Sequence, residues 1–112
     1  MKRRPVILRA RADLDLPDAV DHYLAETGAE AALALIAAIE QACGHLAVHP
    51  ASGSPRYAQE LDLPGLRAWR VRRHPYLIFY LAQDDYVDVW RILHSARDIP
   101  ASLTPRGDED VG

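Results

Sequence analysis

The chain has 112 residues, which is close to the commonest size for one folded domain. Its formal charge of −3 and hydrophobic content of 49% give no overall indication of nucleic-acid binding. The single cysteine, Cys43, excludes an internal disulfide. No secretory leader or apolar run of membrane-spanning length is recognised, so we expect a cytoplasmic protein without a membrane partner.

The charges are distributed unevenly. Residues 1–12 carry five basic groups and no acid, residues 13–30 carry six acids and no Lys or Arg, and residues 56–73 carry five arginines. This predicts a molecule with a basic sheet region and an acidic helical region. A solvated mosaic and a dedicated partner surface both remain open interpretations. We expect one domain over residues 1–104 and a disordered acidic tail over residues 105–112.

The N-terminal quarter predicts a strand and then a helix. The segment VILRAR (6–11) is apolar and arginine-rich, as in a short strand. Asp15, Pro17 and Gly28 are placed as the cap, first turn and stop of the following helix. Residues at helical spacing form its predicted inner face: Leu16, Val20, Tyr23, Leu24 and Thr27.

A second, alanine-rich helix is predicted directly after Gly28. Its apolar stripe recurs at steps of three and four: Leu35, Ile36, Ile39, Cys43 and Leu46. Because the link is short, the two helices should form an antiparallel hairpin. HPASGSPR (49–56) is predicted to be a loop, and Pro64 with Gly65 marks another break.

The C-terminal half predicts an antiparallel meander of LRAWRVRR (66–73), YLIFYL (76–81) and YVDVWRIL (86–93). YLIFYL is apolar throughout, so we expect a central strand covered on both faces. Asp98 and Pro100 introduce a short C-terminal helix. The predicted fold class is α+β: an N-terminal strand, an antiparallel helical hairpin, a three-stranded antiparallel meander and a short C-terminal helix.

A candidate catalytic triplet follows the last predicted strand, with Arg91, His94 and Arg97 spaced three apart. Two arginines and a histidine could hold a phosphate and move a proton, as RNA cleavage requires. In a strand, however, Arg91 and His94 point to opposite faces unless the strand bulges. The pattern therefore favours a divided set over an active site.

The remaining candidates favour structural roles. His45 and His49 have the spacing of a zinc pair, but no third ligand follows, and histidines suit a helix end. Cys43 lies in the apolar stripe of the second helix, and Trp69 and Trp90 are expected to pack the sheet against the helices. We predict no metal and no cofactor.

The combination and order of ADLDLPDAVDHYLAETG, HPASGSPR, LPGLRAWRVRRHPYLIFY and DVWRILHSARDIPASL resemble the ParE branch of the RelE/ParE superfamily. These are toxins of type II toxin–antitoxin systems, and the resemblance runs from about Arg9 to Leu103. It implies a compact toxin neutralised by a cognate antitoxin that is ParD-like or similar. It also implies DNA gyrase as the target, growth arrest as the outcome, and no specific DNA binding except through the antitoxin.

The same superfamily contains messenger RNA endonucleases, so the fold does not choose the function. Nuclease relatives carry an arginine in the central strand, where this chain has Tyr76 and Leu77, and they use lysines, whereas the only lysine is Lys2. A protein-binding inhibitor is therefore favoured over an enzyme. The alternatives are an endonuclease using His94 with Arg91 or Arg97, and a toxin fold kept only as a non-toxic binding module.

A binding surface for the antitoxin or the target is predicted from the arginines. In an extended strand Arg70 and Arg72 would share one face, and Arg67 and Arg73 the other. Guanidinium groups pair well with carboxylates of a protein partner. The predicted binding residues are Arg56, Arg67, Arg70, Arg72, Arg73, Arg91 and Arg97.

Overall fold

The computed structural model describes residues 3–96 together with Ile99 and Leu103. In chain order the elements are β1 (Val6–Leu8), α1 (Ala10–Glu26), α2 (Ala29–Val48), a short 3-10 turn (Pro50–Ser52), α3 (Arg56–Leu61), β2 (Leu66–Arg70), β3 (Tyr76–Ala82) and β4 (Val87–His94). Ile99 and Leu103 also have helical backbones. Arg97 and the predicted tail lie outside the described residues.

The strands form one sheet in the order β1-β4-β3-β2. The predicted meander is confirmed, since β2, β3 and β4 pair antiparallel in succession. β1 pairs parallel with β4, with Val6 opposite Val87 and Leu8 opposite Val89. The two ends of the chain therefore meet in the sheet, and β3 and β4 are its interior strands.

The helical layer consists of α1 and α2, which pack on each other and on one face of the sheet. They are joined at Gly28, whose φ of 114° is a backbone conformation that side-chain-bearing residues rarely adopt. The predicted start of the first helix is wrong: α1 begins at Ala10, so Asp15 lies inside it instead of capping it. Its buried face is made by Ala12, Asp15 and Ala19, while Leu24 is exposed.

The sheet is covered on both faces, as expected for a strand with the sequence YLIFYL. Ile78 and Tyr80 belong to the cluster under the helices, and Phe79 belongs to a second cluster on the opposite face. The second face is covered by α3, a helix that the sequence analysis assigned in part to a loop, and by Ile99 and Leu103. The fold is α+β, as predicted.

Helix α2 differs from the expectation that no apolar segment of this chain reaches membrane-spanning length. By length and composition alone its 20 residues could cross a membrane, because alanines raise its apolar content without forming a continuous run of large side chains. Three of its larger apolar residues, Leu35, Ile39 and Leu46, are nevertheless buried in the core cluster, while Leu33 is exposed. This is the pattern of a core helix that packs on a sheet.

Candidate functional site

A bulge in β4 determines where the candidate triplet points. Phe79 pairs with Arg91 and the next residue of β3, Tyr80, pairs with Val89, so Trp90 is an extra residue on β4. The alternation of side chains is shifted at this point. Arg91 reaches α1, and Ile92 belongs to the cluster beneath the helices.

Arg91 forms a buried, bidentate ion pair with Asp15. Its Nε donates to Asp15 Oδ2 at 2.8 Å, its Nη2 donates to Oδ1 at 3.0 Å, and the backbone N–H of Ile92 donates to Oδ2 at 3.0 Å. The two side chains are only 8% and 9% exposed. This corrects the assignment of Arg91 to a binding surface, because the guanidinium is inside the molecule. The sequence signal for Asp15 was its place on the helix face of Ala12 and Ala19.

His94 lies on the same side of the sheet as Arg91, contrary to the predicted division. It is opposite Tyr76 in the ladder, and the rings meet edge to face at 5.2 Å. Tyr76 in turn contacts Tyr23, whose hydroxyl is 3.0 Å from Nδ1 of His74. Two histidines and two tyrosines therefore line one corner of the sheet.

The electrostatics of this corner favour neutral phenols. Burial raises the pKa of Tyr23, and burial followed by the neighbouring Tyr23 raises the pKa of Tyr76. Nδ1 of His94 accepts a hydrogen bond from the backbone N–H of Ala96 at 3.0 Å, so a neutral His94 carries its proton on Nε2. No local sequence signal groups Tyr23, Tyr76 and His74, because only the packing of the sheet against the helix brings them together.

The remaining predicted arginines do not form one row. Arg67 is half-buried and donates to the backbone oxygen of Gly53 at 2.7 Å. Arg70 is exposed at the end of β2. Arg72 and Arg73 follow the strand in the turn before β3, so the predicted pairing of faces over residues 67–73 is wrong beyond Arg70. Arg56 lies at the start of α3 and pairs with Glu60 at 3.3 Å.

The histidines at the end of α2 have structural partners. His45 stacks on Trp69 with ring centroids 4.6 Å apart, and its Nε2 is 3.0 Å from Ser52 Oγ. Cys43 is half-buried, and burial followed by Glu40 raises the pKa of its thiol. Within the described part of the chain no three His, Cys, Asp or Glu side chains gather as a metal site would require.

A groove of about 370 Å³ lies between β1 and the two long helices. Its wall is largely apolar, with Leu8, Leu16 and Ile39 on three elements, and Arg3 and Arg4 line it from the N-terminal segment. β1 is an edge strand. The backbones of Pro5 and Arg9 bond to β4, so the peptide groups of the alternate residues Val6 and Leu8 face the outer edge. No described strand pairs with that edge.

Comparison with known proteins places this architecture. The model of the family described as ParE toxin of type II toxin–antitoxin system, parDE, matches residues 6–99. A solved structure titled as the chromosomal ParDE TA system from P. aeruginosa contains a chain similar to this one, with a TM-score of 0.68 and 22% identity. The similarity covers 84% of this chain and 98% of that chain. A search of curated proteins finds no match.

The two matches support different conclusions. At 22% identity the structural likeness shows the fold alone. The family match spans β1 to Ile99 and so includes every strand of the sheet and the Asp15–Arg91 pair. The chain therefore belongs to the ParE toxin family of type II toxin–antitoxin systems.

Proposed function

We propose that this protein is a toxin that inhibits DNA gyrase by binding it, and that a cognate antitoxin neutralises it. Family membership supports both partners. The observation that carries the choice of an inhibitor over a nuclease is the Asp15–Arg91 pair. The guanidinium of Arg91 is buried and its charge is already balanced by Asp15, so it is poorly placed to stabilise the negative charge of a substrate phosphate.

The direct test is supercoiling of relaxed plasmid by purified gyrase with increasing amounts of this protein. Inhibition that is reversed by adding the antitoxin supports the proposal. Full supercoiling at excess protein contradicts the gyrase assignment and leaves the family assignment intact. Induction of the protein without antitoxin is the companion experiment, since normal growth would show that the chain is a non-toxic binding module. The proposal implies a cytoplasmic protein.

We place the antitoxin on the groove beside β1. An extended segment could add to the outer edge of β1 through main-chain hydrogen bonds and insert apolar side chains between Leu8, Leu16 and Ile39. Arg3 and Arg4 would donate hydrogen bonds to the carboxylates of acidic residues in that segment. β-Strand addition supplies affinity from the backbone, and the groove supplies specificity.

Gly44 allows the groove to be filled without disturbing the core. A Cβ at this position would meet only Nη2 of Arg3, at 3.6 Å, which is an ordinary contact. Gly44→Met should therefore fold normally and weaken antitoxin binding at least tenfold, measured by isothermal titration calorimetry. Ala37→Met, at an exposed position of the same helix, is the matched control. If both variants bind the antitoxin as tightly as the wild type does, the antitoxin binds at another surface.

A second candidate function is RNA cleavage centred on His94. The observation that favours it is the corner where His94, Tyr76, Tyr23 and His74 adjoin, because histidine and tyrosine can both move protons. Transcript cleavage on induction that His94→Ala abolishes would support this function. Intact transcripts in growth-arrested cells would exclude it. Arg97, the third member of the predicted triplet, lies outside the described residues.

A further inference from the structure

A cleft of about 340 Å³ lies between α2 and the turn that joins β2 to β3. One wall is made by α2, where Ala34 and Ala38 leave space and Gln41 extends an amide. The other wall is the consecutive run of Arg72, Arg73 and His74. This cleft is separate from the groove beside β1, and the two share no lining residue.

The charge of the cleft is uncompensated. Arg72 and Arg73 are exposed, and neither is ion-paired with an acid in the described part of the chain. Among the residues that the structure describes, no Asp or Glu lines the cleft. Two fixed positive charges without a counter-charge, in a protein whose overall formal charge is −3, form a local anion-binding environment.

The histidine adds a third donor on the same side. Nδ1 of His74 lies 3.0 Å from the hydroxyl of Tyr23, which fixes the ring. Because burial raises the pKa of Tyr23, the phenol stays protonated and can donate to Nδ1. In the tautomer in which Nδ1 accepts from this phenol, the neutral ring carries its hydrogen on Nε2, which can donate to a ligand.

The backbone of the turn that carries the two arginines is ordered by hydrogen bonds. The backbone N–H of Val71 donates to the oxygen of Tyr76 at 2.9 Å, and that of His74 donates to the oxygen of Val71 at 3.2 Å. Arg73 has a φ of 68°, a left-handed conformation that is uncommon for residues other than glycine, asparagine and aspartate. A bulky, charged residue in this conformation is the kind of backbone outlier that marks functional sites.

We propose that this cleft binds a phosphoryl group through Arg72, Arg73, His74 and Gln41. A carboxylate carries one negative charge, which a single guanidinium fork satisfies. A phosphoryl dianion carries nearly two and has three terminal oxygens, which matches two arginines with neutral donors beside them. The ligand is a free phosphate or the phosphate of a nucleotide. This inference does not depend on the toxin function proposed above.

The test is titration of the full-length protein with inorganic phosphate and with a nucleoside 5′-monophosphate, followed by calorimetry at pH 7.5. The double variant Arg72→Gln/Arg73→Asn should bind both at least about tenfold more weakly, since charge-assisted hydrogen bonds are lost. Asparagine is chosen at position 73 because it tolerates the left-handed backbone. Tighter binding of the nucleotide than of phosphate identifies a nucleotide site, and equal binding identifies a phosphate site.

The double variant Arg3→Gln/Arg11→Gln is the matched control, because it also removes two positive charges, from exposed positions that do not line the cleft. Equal weakening by this variant would show unspecific attraction and overturn the proposal. Tighter binding of acetate or of a glutamate-rich peptide would also overturn it, as would the absence of saturable phosphate binding. Gln41→Glu keeps both arginines and should weaken binding by placing a carboxylate in the cleft. If the double variant Arg72→Gln/Arg73→Asn does not fold, Gln41→Glu takes its place as the test.

Discussion

Asp15 connects the first helix to the last strand. It accepts three hydrogen bonds from β4 through its two carboxylate oxygens, two of them from Arg91 and one from the backbone of Ile92. Hydrogen bonds to both carboxylate oxygens make this buried charge tolerable. The pair also depends on the bulge at Trp90, which is needed for Arg91 to face the helices.

Replacing Asp15 with alanine should reduce the free energy of unfolding by about 3–5 kcal/mol, because it leaves a buried guanidinium without its counter-charge. Urea denaturation followed by circular dichroism measures this loss. Asp18→Ala, an exposed acid one turn away on α1, is the control and should change stability by less than about 0.5 kcal/mol. Similar losses in the two variants would show that the ion pair contributes little.

Two glycines should respond oppositely to alanine. A Cβ on Gly53 would lie 2.5 Å from the hydroxyl of Tyr80 and 3.0 Å from Cβ of Arg67, so Gly53→Ala should destabilise the protein by about 1–3 kcal/mol. Gly44→Ala has room in the middle of α2 and should stabilise it by up to about 1 kcal/mol. Thermal denaturation of both variants and the wild type measures whether each substitution lowers or raises the stability.

The buried tyrosines predict a loss of stability in alkali. Burial raises the pKa of Tyr23, Tyr76 and Tyr80 above the ordinary 10.0. Above pH 10 the unfolded chain then loses protons that the folded protein keeps. The stabilisation is complete below that pH and declines as the pH rises through the folded pKa values. Urea unfolding between pH 8.5 and 11 should show this decline, and Tyr76→Phe should make it shallower. A decline as steep in Tyr76→Phe as in the wild type would show that Tyr76 does not contribute to the loss of stability.

At the scale of secondary structure, the sequence was sufficient where the local pattern and the packing agree. YLIFYL became β3 because its apolar residues meet a packed layer on each face. The start of α1 was wrong because Asp15 and Pro17 have the local signature of a helix N-terminus, whereas packing against β4 extends the helix back to Ala10. Tertiary contacts outweighed capping preference at this point.

The other failures at this scale concern features without a local signature. The extra residue Trp90 is visible only when β4 is aligned with β3, and the parallel partner of β1 lies about 80 residues away. Helix α3 has six residues between a proline and an aspartate in left-handed conformation, too few for a periodic pattern. The position of Arg91 depends on the bulge and the groove depends on the place of β1, which explains why the geometry of the site could be predicted less completely than the order of the strands.

At the scale of the whole molecule, the uneven distribution of charge survives folding. The exposed acids Asp13, Asp18, Asp21 and Glu26 lie along α1, which also carries the exposed Arg11 near its start. The other exposed arginines lie at the N-terminal segment, at the end of β2, in the turn after it and at the start of α3. A molecule of this kind is oriented by the field of a charged partner during approach.

Raising the NaCl concentration should therefore slow association with the antitoxin and change dissociation much less. The Debye length falls from about 30 Å at 0.01 M to about 3 Å at 1 M ionic strength, so long-range attraction disappears over this range. Stopped-flow mixing at several salt concentrations measures the association rate. Charge reversal by Arg4→Glu, at the groove proposed for the antitoxin, should flatten the dependence. An association rate independent of salt would exclude electrostatic steering.

The parallel pairing of β1 with β4 has a consequence for how the protein is made. Asp15 and its partner Arg91 are 76 residues apart in the chain, and Arg9 and its partner Asp88 are 79 residues apart. Neither bond can form on the ribosome until almost the whole chain has emerged. A polypeptide from interrupted translation that stops before β4 lacks an interior strand of the sheet and cannot close it. We expect incomplete products to be degraded as unfolded chains, so that only finished molecules accumulate.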